Sequence, residues 1–153
     1  MKTNIVIIAA ISRNGCIGEN GHLPWYIPEE LAQFKNDTLG GILICGKTTA
    51  NSLRKGITSM ADREIYEVAR DGNRIINGIQ HAINSEKNAY IVGGTGVFAE
   101  GMEYAESMLI TIIDSDFYGD RYFPYINQNV WKKTFKKDIH AYGWKLQQFE
   151  FKK

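Results

Sequence analysis

Unbroken apolar runs and helically spaced apolar residues alternate along this chain. Asn4–Ser12 is a run dominated by Ile and Val, the pattern of a strand covered on both faces. Ile42–Cys45 repeats that pattern, Ile75–Ile76 and Ala89–Val92 predict shorter strands, and Met108–Ile113 predicts a long buried one. Between them, Pro28 opens a helix at a position where its missing N–H is not needed. A second helix starts at Gly46-Lys47-Thr48-Thr49 and runs through Leu53, a third lies near Ile79–Ile83, and a fourth spans Val97–Met102. Trp131–Phe135 and Trp144–Phe151 predict a closing antiparallel pair. The alternation predicts one α/β domain over residues 1–153. Its central sheet is mostly parallel, flanked by helices, with an antiparallel strand pair at the C-terminal end.

In open sheets of this class, ligands bind beyond the carboxyl ends of the strands. Those ends carry Ala9-Ala10, Gly46-Lys47-Thr48-Thr49 and Gly93-Gly94-Thr95-Gly96. The two Gly-bearing turns offer backbone N–H groups to phosphate and point to a nucleotide cofactor. Gly41–Thr48 also matches G-x-x-x-x-G-K-[ST] letter for letter. Its four intervening residues, Ile42-Leu43-Ile44-Cys45, are strand material and leave no loop to wrap a phosphate, which argues against a P-loop. In the Pro28 helix, Glu30 shares a face with Leu31, Phe34 and Thr38. A lone carboxylate on an apolar stripe is expensive without a partner, and implies a cationic or amidine-like ligand.

Bulk properties narrow the partners. The 153 residues are 44% apolar and 23% charged with net charge +1, which carries no electrostatic footprint for nucleic acid or membrane. The apolar run Ile5–Ile11 is too short for a membrane span or a signal core. Cys16 and Cys45 fit no metal-ligand spacing, so no metal is expected, and they read as buried, reduced thiols in a cytoplasmic protein. His22, His81 and His140 lie near no acid or thiol at useful spacing and read as surface residues. Trp131 and Trp144 read as packing residues, and Lys132, Lys133, Lys136 and Lys137 as a solvated edge strand. Glu29 reads as a helix-dipole partner. Trp25, in a loop after Leu23-Pro24, reads as a lid and site residue.

Placed in order, these segments closely resemble dihydrofolate reductases. The matching residues are Ile17-Gly18, Leu23-Pro24-Trp25, Pro28, Glu30, Leu31, Phe34, Lys35 and Thr38. They continue through Gly46-Lys47-Thr48-Thr49, Ser52, Ile91-Val92-Gly93-Gly94 and Phe98 to Thr111, Gly119-Asp120, Phe123-Pro124 and Trp131. Order and spacing hold from Ile8 to Trp131, with a small insertion around Lys55–Ala61.

The resemblance implies a dihydrofolate-reductase-like fold and a monomer that moves a hydride from NADPH to 7,8-dihydrofolate, giving tetrahydrofolate. Glu30 would accept hydrogen bonds from the pterin's 2-amino group and N3, supported by Thr111, with Trp25 beside them. Leu31, Phe34, Leu53 and Val92 would wall the rings, with Ile8 and Ala9 also on the substrate side. Lys35 would lend positive potential to the substrate's tail, and Arg63 would grip its α-carboxylate. Ala10, Ile17, Gly18, Asn20 and Leu23 would contact nicotinamide, the loop Gly15–Leu23 acting as a mobile lid. Gly46, Lys47, Thr48 and Thr49 would meet the phosphates, and Gly93, Gly94, Thr95, Gly96 and Val97 would pass beneath the pyrophosphate, with Phe98 behind them. The Gly93-Gly94 pair matches a peptide that is cis in the family.

Several positions depart from the family. Thr48 replaces a second basic residue, Ala50 an aromatic one and Gly96 a larger one, which thins the charge for a 2′-phosphate; Arg70 would compensate. Phe98 replaces a frequent tyrosine, and Thr58–Arg63 replaces the usual Pro-Leu-Pro-Gly-Arg. Two rivals stay open: a reductase of a related pterin or pyrimidine, as in riboflavin synthesis, and a catalytically weak folate- or nucleotide-binding protein. Glu30 at the pterin-reading position favours the folate enzyme.

Overall fold

Successive residues of the apolar runs go to opposite faces of one sheet, and that alternation divides the core in two. The structure, a computed structural model, describes residues 2–56, 62–69 and 72–153. Its elements are β1 (Ile5–Ser12), β2 (Cys16–Gly18), α1 (Pro28–Asp37), β3 (Ile42–Cys45), α2 (Lys47–Gly56), β4 (Glu64–Glu67) and α3 (Ile75–Asn84). There follow β5 (Ala89–Gly93), α4 (Thr95–Gly101), β6 (Ser107–Ile113), β7 (Arg121–Tyr122), β8 (Lys132–Ala141) and β9 (Trp144–Lys152). Seven strands form one sheet in the order β4-β3-β5-β1-β6-β9-β8, and β2 pairs with β7 apart from it. Pairing is parallel from β4 to β6 and antiparallel where β9 meets β6 and β8.

Ile7, Ile44, Ile91 and Ile110 pack on one face with Ile75, Ile79 and Ala82 of α3 and Phe98 of α4. Their chain neighbours Ile8, Leu43, Cys45, Val92 and Leu109 face the other way, against Ala50 and Leu53 of α2 and Phe34 of α1. β3 is buried along its whole length, so truncating Leu43 to Ala costs about 2–5 kcal/mol. A third cluster joins Trp25 and Ile27 to Ile113, Ile139 and Leu146 at the far end of the sheet. Covering both faces with helices leaves the carboxyl ends of β1, β3 and β5 open, and that rim holds the site.

Four local readings need correction. Ile75–Ile76 is not a strand but the first turn of α3, where the Arg74 N–H donates to Asn77 Oδ1 at 2.9 Å. Helical spacing then buries Ile75, Ile79 and Ala82 and leaves Ile76 exposed. α4 begins at Thr95, two residues before the predicted start. Trp131 precedes β8 and is buried, while β8 runs on to Ala141. His81 is not remote from acids: its Nε2 lies 2.6 Å from Glu64 Oε2 on β4. β4 is an edge strand, and its other acid, Glu67, pairs with Arg54 at 2.9 Å. The exposed lysines of β8 do sit on the opposite edge, where charge discourages pairing with other chains.

Candidate active site

Pro28 occupies the first turn of α1 with Glu29 and Glu30, where acidic side chains complement the helix dipole. At the other end, Thr38 is buried and its Oγ1–H donates to the Phe34 carbonyl at 2.9 Å, closing the last turn. Thr38 therefore serves the helix rather than the cleft. Glu30, Leu31 and Phe34 point into the cleft. Among the described residues no side chain pairs with Glu30, and burial alone pushes its carboxyl from 4.5 up to about 7. An acid of that kind gains most from a ligand that presents paired N–H donors.

The cleft measures about 870 Å³, ample for a substrate and a dinucleotide fragment together. Ile8, Ala9 and Ala10, midway along β1, form its floor, with Leu53 and Val92 beside them. Gly46, Lys47, Thr48 and Thr49 line it where α2 begins, facing Gly93, Gly94, Thr95, Gly96, Val97 and Phe98 where β5 passes into α4. The two turns are joined by the Gly46 N–H, which donates to the Gly93 carbonyl at 2.9 Å. The Gly93–Gly94 peptide is cis, and Gly93 has φ +129° with Thr49 Oγ1 3.1 Å from where a Cβ would sit. Only glycine fits there. Added Cβ atoms at Gly94 or Gly96, at the start of α4, meet nothing within 4 Å and would project into open space. That is room for a pyrophosphate with N–H donors around it.

The remaining wall is the segment after β1. Ile17, Gly18, Asn20 and Leu23 line the cleft, and a turn with positive φ at Asn20 and Gly21 folds Glu19 back on His22. This segment is latched to the loop before β7: Asn20 N–H donates to Asp120 Oδ2 at 3.1 Å and Asp120 N–H to the Gly18 carbonyl at 3.0 Å. A Cβ on Gly119 would lie 2.1 Å from Gly18 O, so this close approach requires glycine.

Not every expected residue reaches the cleft. Trp25 is buried in the third cluster, its ring 5.3 Å from that of Phe117, and does not line the cleft. Its indole N–H has no partner among the described residues. Thr111 is buried on β6 opposite Ala10, and among the described residues no hydrogen bond joins it to Glu30. Arg63 lies outside the cleft wall, where Nε donates to Thr38 Oγ1 at 3.0 Å and Nη2 to the Lys35 carbonyl, holding the end of α1. Lys35 also stays off the wall, and Arg70 lies outside the described residues. The structure adds Ser52, Arg74, Glu100, Asp120 and Arg121 to the wall. Arg74, at the start of α3, and Glu100, at the end of α4, form an ion pair of 2.7 Å. Gly119-Asp120 and Ser52 stood among the matched residues, whereas nothing local marked Arg74 or Glu100, which meet only through the fold.

Comparison with known proteins gives the family and the fold. A family model described as dihydrofolate reductase matches residues 4–153. A dihydrofolate reductase of Buchnera aphidicola from Acyrthosiphon pisum is 36% identical over 141 residues, covering 88% of each chain. One from Neisseria meningitidis is 33% identical over 139 residues, covering 85% of each. Among solved structures, dihydrofolate reductase from Enterococcus faecalis complexed with NADP(H) and RAB-propyl superposes with a TM-score of 0.77. It covers 97% of this chain and 95% of its own at 22% identity, a likeness of fold.

Proposed function

The chain belongs to the dihydrofolate reductase family, and from that premise we propose that it reduces 7,8-dihydrofolate to tetrahydrofolate with NADPH. The observation that carries the reading is Glu30, an acid with no partner among the described residues, raised to about 7 on the wall of a cleft large enough for two ring systems. A pterin presents a 2-amino group and an N3–H side by side, the donor pair a carboxylate accepts in two parallel bonds. Binding them lowers the raised pKa of Glu30, so the anion forms as the ligand arrives. When bound, NADPH supplies the hydride to carbon of the pterin's C=N bond. Glu30 grips the opposite edge of the ring, and its charge raises the basicity of N5, which takes a proton through water.

Leu31, Phe34, Leu53 and Val92 exclude water from the path between the rings, with Ile8 and Ala9 beneath. Ala10, Ile17, Gly18, Asn20 and Leu23 enclose the nicotinamide end, and the latch between Asn20 and Asp120 supports a lid that closes over it. Gly46, Lys47, Thr48 and Thr49 hold the phosphates from one side, and Gly93, Gly94, Thr95, Gly96 and Val97 from the other, with Phe98 packed behind. Arg63 receives the α-carboxylate of the substrate's tail, oriented by its bonds to α1, with Lys35 adding charge. Thr111 supports Glu30 once a ligand orders the cleft, and Trp25 secures the lid's far end.

Cys16 and Cys45 are buried, unpaired thiols, which suits the reducing cytoplasm. No helix among the described residues is long and apolar enough to cross a membrane. Mixing the purified protein with NADPH and dihydrofolate tests the reading. Consumption of one cofactor per substrate supports it, and tight binding of both without consumption supports a binding protein instead.

A further inference from the structure

The helix that carries Glu30 is held mainly by polar ties, and those beyond the Arg63 contacts lead to one place. Within Pro28–Asp37 no residue is fully buried, so apolar packing grips α1 only lightly. In its first turn, Glu29 Oε2 accepts the Tyr142 N–H at 3.1 Å, at the turn between β8 and β9. In its last turn, Asp37 Oδ2 accepts Gln148 Nε2 of β9 at 2.9 Å, while Gln33 Nε2 braces Asp37 Oδ1 at 2.8 Å from within the helix. Glu29 and Asp37 stand about 12 Å apart along the axis at 1.5 Å per residue. Both ends of α1 are thus fastened to the C-terminal hairpin. The apolar contacts agree: Trp25 and Ile27, which lead into α1, pack on Ile139 of β8 and Leu146 of β9.

Gln148 is the unusual member. It is 1% exposed, and its Oε1 is buried without a hydrogen-bond partner among the described residues. A buried amide with one end unsatisfied works against stability, and an apolar side chain of similar length would serve the core better. Its reach to Asp37 is what an apolar side chain would lack. Gln148 stands opposite Thr111 in the β6–β9 ladder, and Thr111 stands opposite Ala10 on the cleft floor. The tie therefore runs beside the ground on which Glu30 must be placed.

We propose that Gln148 is a positioning residue: together with the Glu29–Tyr142 contact it clamps α1 to the C-terminal hairpin and sets how deeply Glu30 sits in the cleft. This rests on the reading of Glu30 as the group that grips the pterin. Three variants test it: Gln148→Met, which keeps length and loses the amide, Glu29→Ala, and Glu29→Gln, which keeps an acceptor oxygen.

For Gln148→Met the melting temperature should equal or exceed that of the wild type, and the NADPH dissociation constant should not move. Its kcat should fall about three- to tenfold, as expected for a displaced binding group, with a higher KM for dihydrofolate. Glu29→Ala should show the same split, and Glu29→Gln should restore it. Wild-type kcat and KM in Gln148→Met would overturn the proposal, as would a loss of kcat, stability and NADPH affinity together, or a Glu29→Gln as impaired as Glu29→Ala. Amide hydrogen exchange gives a reading independent of turnover. Gln148→Met should speed exchange in α1 while leaving β1 and β3 protected, and unchanged exchange in α1 would overturn the clamp even if the wild type proved inactive on dihydrofolate.

Discussion

Replacing Glu30 with Gln should make the ligand-free protein more stable, and more so as pH rises. Burial lifts the Glu30 carboxyl from 4.5 to about 7 in the folded chain. Between those values the folded state holds a proton that the unfolded chain has released. Stability therefore falls as pH rises through that window, and the loss is complete above the folded value. At about 1.4 kcal/mol per unit, the full penalty is about 3 kcal/mol. Gln carries no such penalty at any pH. In urea titrations the advantage of Glu30→Gln over wild type should grow by about 2–3 kcal/mol between roughly pH 5 and pH 8. For a domain of this size that is about 5–10 °C in Tm at the higher pH. Parallel stability curves for the two proteins would refute the desolvation of the acid. The same variant should lose turnover, most at higher pH where the wild type offers an anion, and unchanged turnover would remove Glu30 from the mechanism.

Lys47→Ala should weaken NADPH about five- to tenfold, the worth of one charged phosphate contact, and leave the KM for dihydrofolate unmoved; a fluorescence titration with unchanged affinity would detach Lys47 from the phosphates. Gly119→Ala drives a Cβ to 2.1 Å from Gly18 O, so it should part the latch and slow hydride transfer in stopped-flow experiments, whereas a wild-type rate would show that closure does not need this contact. Arg63→Ala should raise KM for the glutamate-tailed substrate about tenfold and spare a tail-free pterin; equal losses on both would reassign the arginine to holding α1. Burial pushes the Cys45 thiol up to about 12, so native protein should resist iodoacetamide at Cys45 near neutral pH and react there once unfolded in urea. Ready labelling of Cys45 in the folded state would contradict its placement in the core.

How much could be read beforehand depended on where the deciding contacts lay. Ile42–Cys45 was legible because a strand buried on both faces must be apolar throughout, and the same argument disposed of the P-loop match. Pro28 marked the start of α1, and the helical spacing from Glu30 to Phe34 put an acid among apolar neighbours before any fold was known. Ile75–Ile76 misled because two adjacent β-branched residues look alike in a strand and in the first turn of a helix; the cap that decides it uses Asn77, outside the usual Ser, Thr or Asp at the N-cap. The short strand Glu64–Glu67 shows little apolar pattern, since one side of an edge strand meets solvent and its acids are satisfied by Arg54 and His81 from other elements. Trp25 looked like a lid residue from its loop, but Ile139 and Leu146, more than a hundred positions away, draw it into the core. In the site, glycine turns and the family pattern located the cofactor wall. Arg74 and Glu100 escaped because each is ordinary until α3 and α4 bring them together.

The most direct check is a crystal structure of the protein with NADPH and folate bound in the cleft. The account predicts both Glu30 carboxylate oxygens at about 2.7–3.0 Å from the pterin's 2-amino nitrogen and N3, with the nicotinamide ring stacked beyond Ala10. A pterin ring bound elsewhere in the cleft, with Glu30 turned to water, would contradict it.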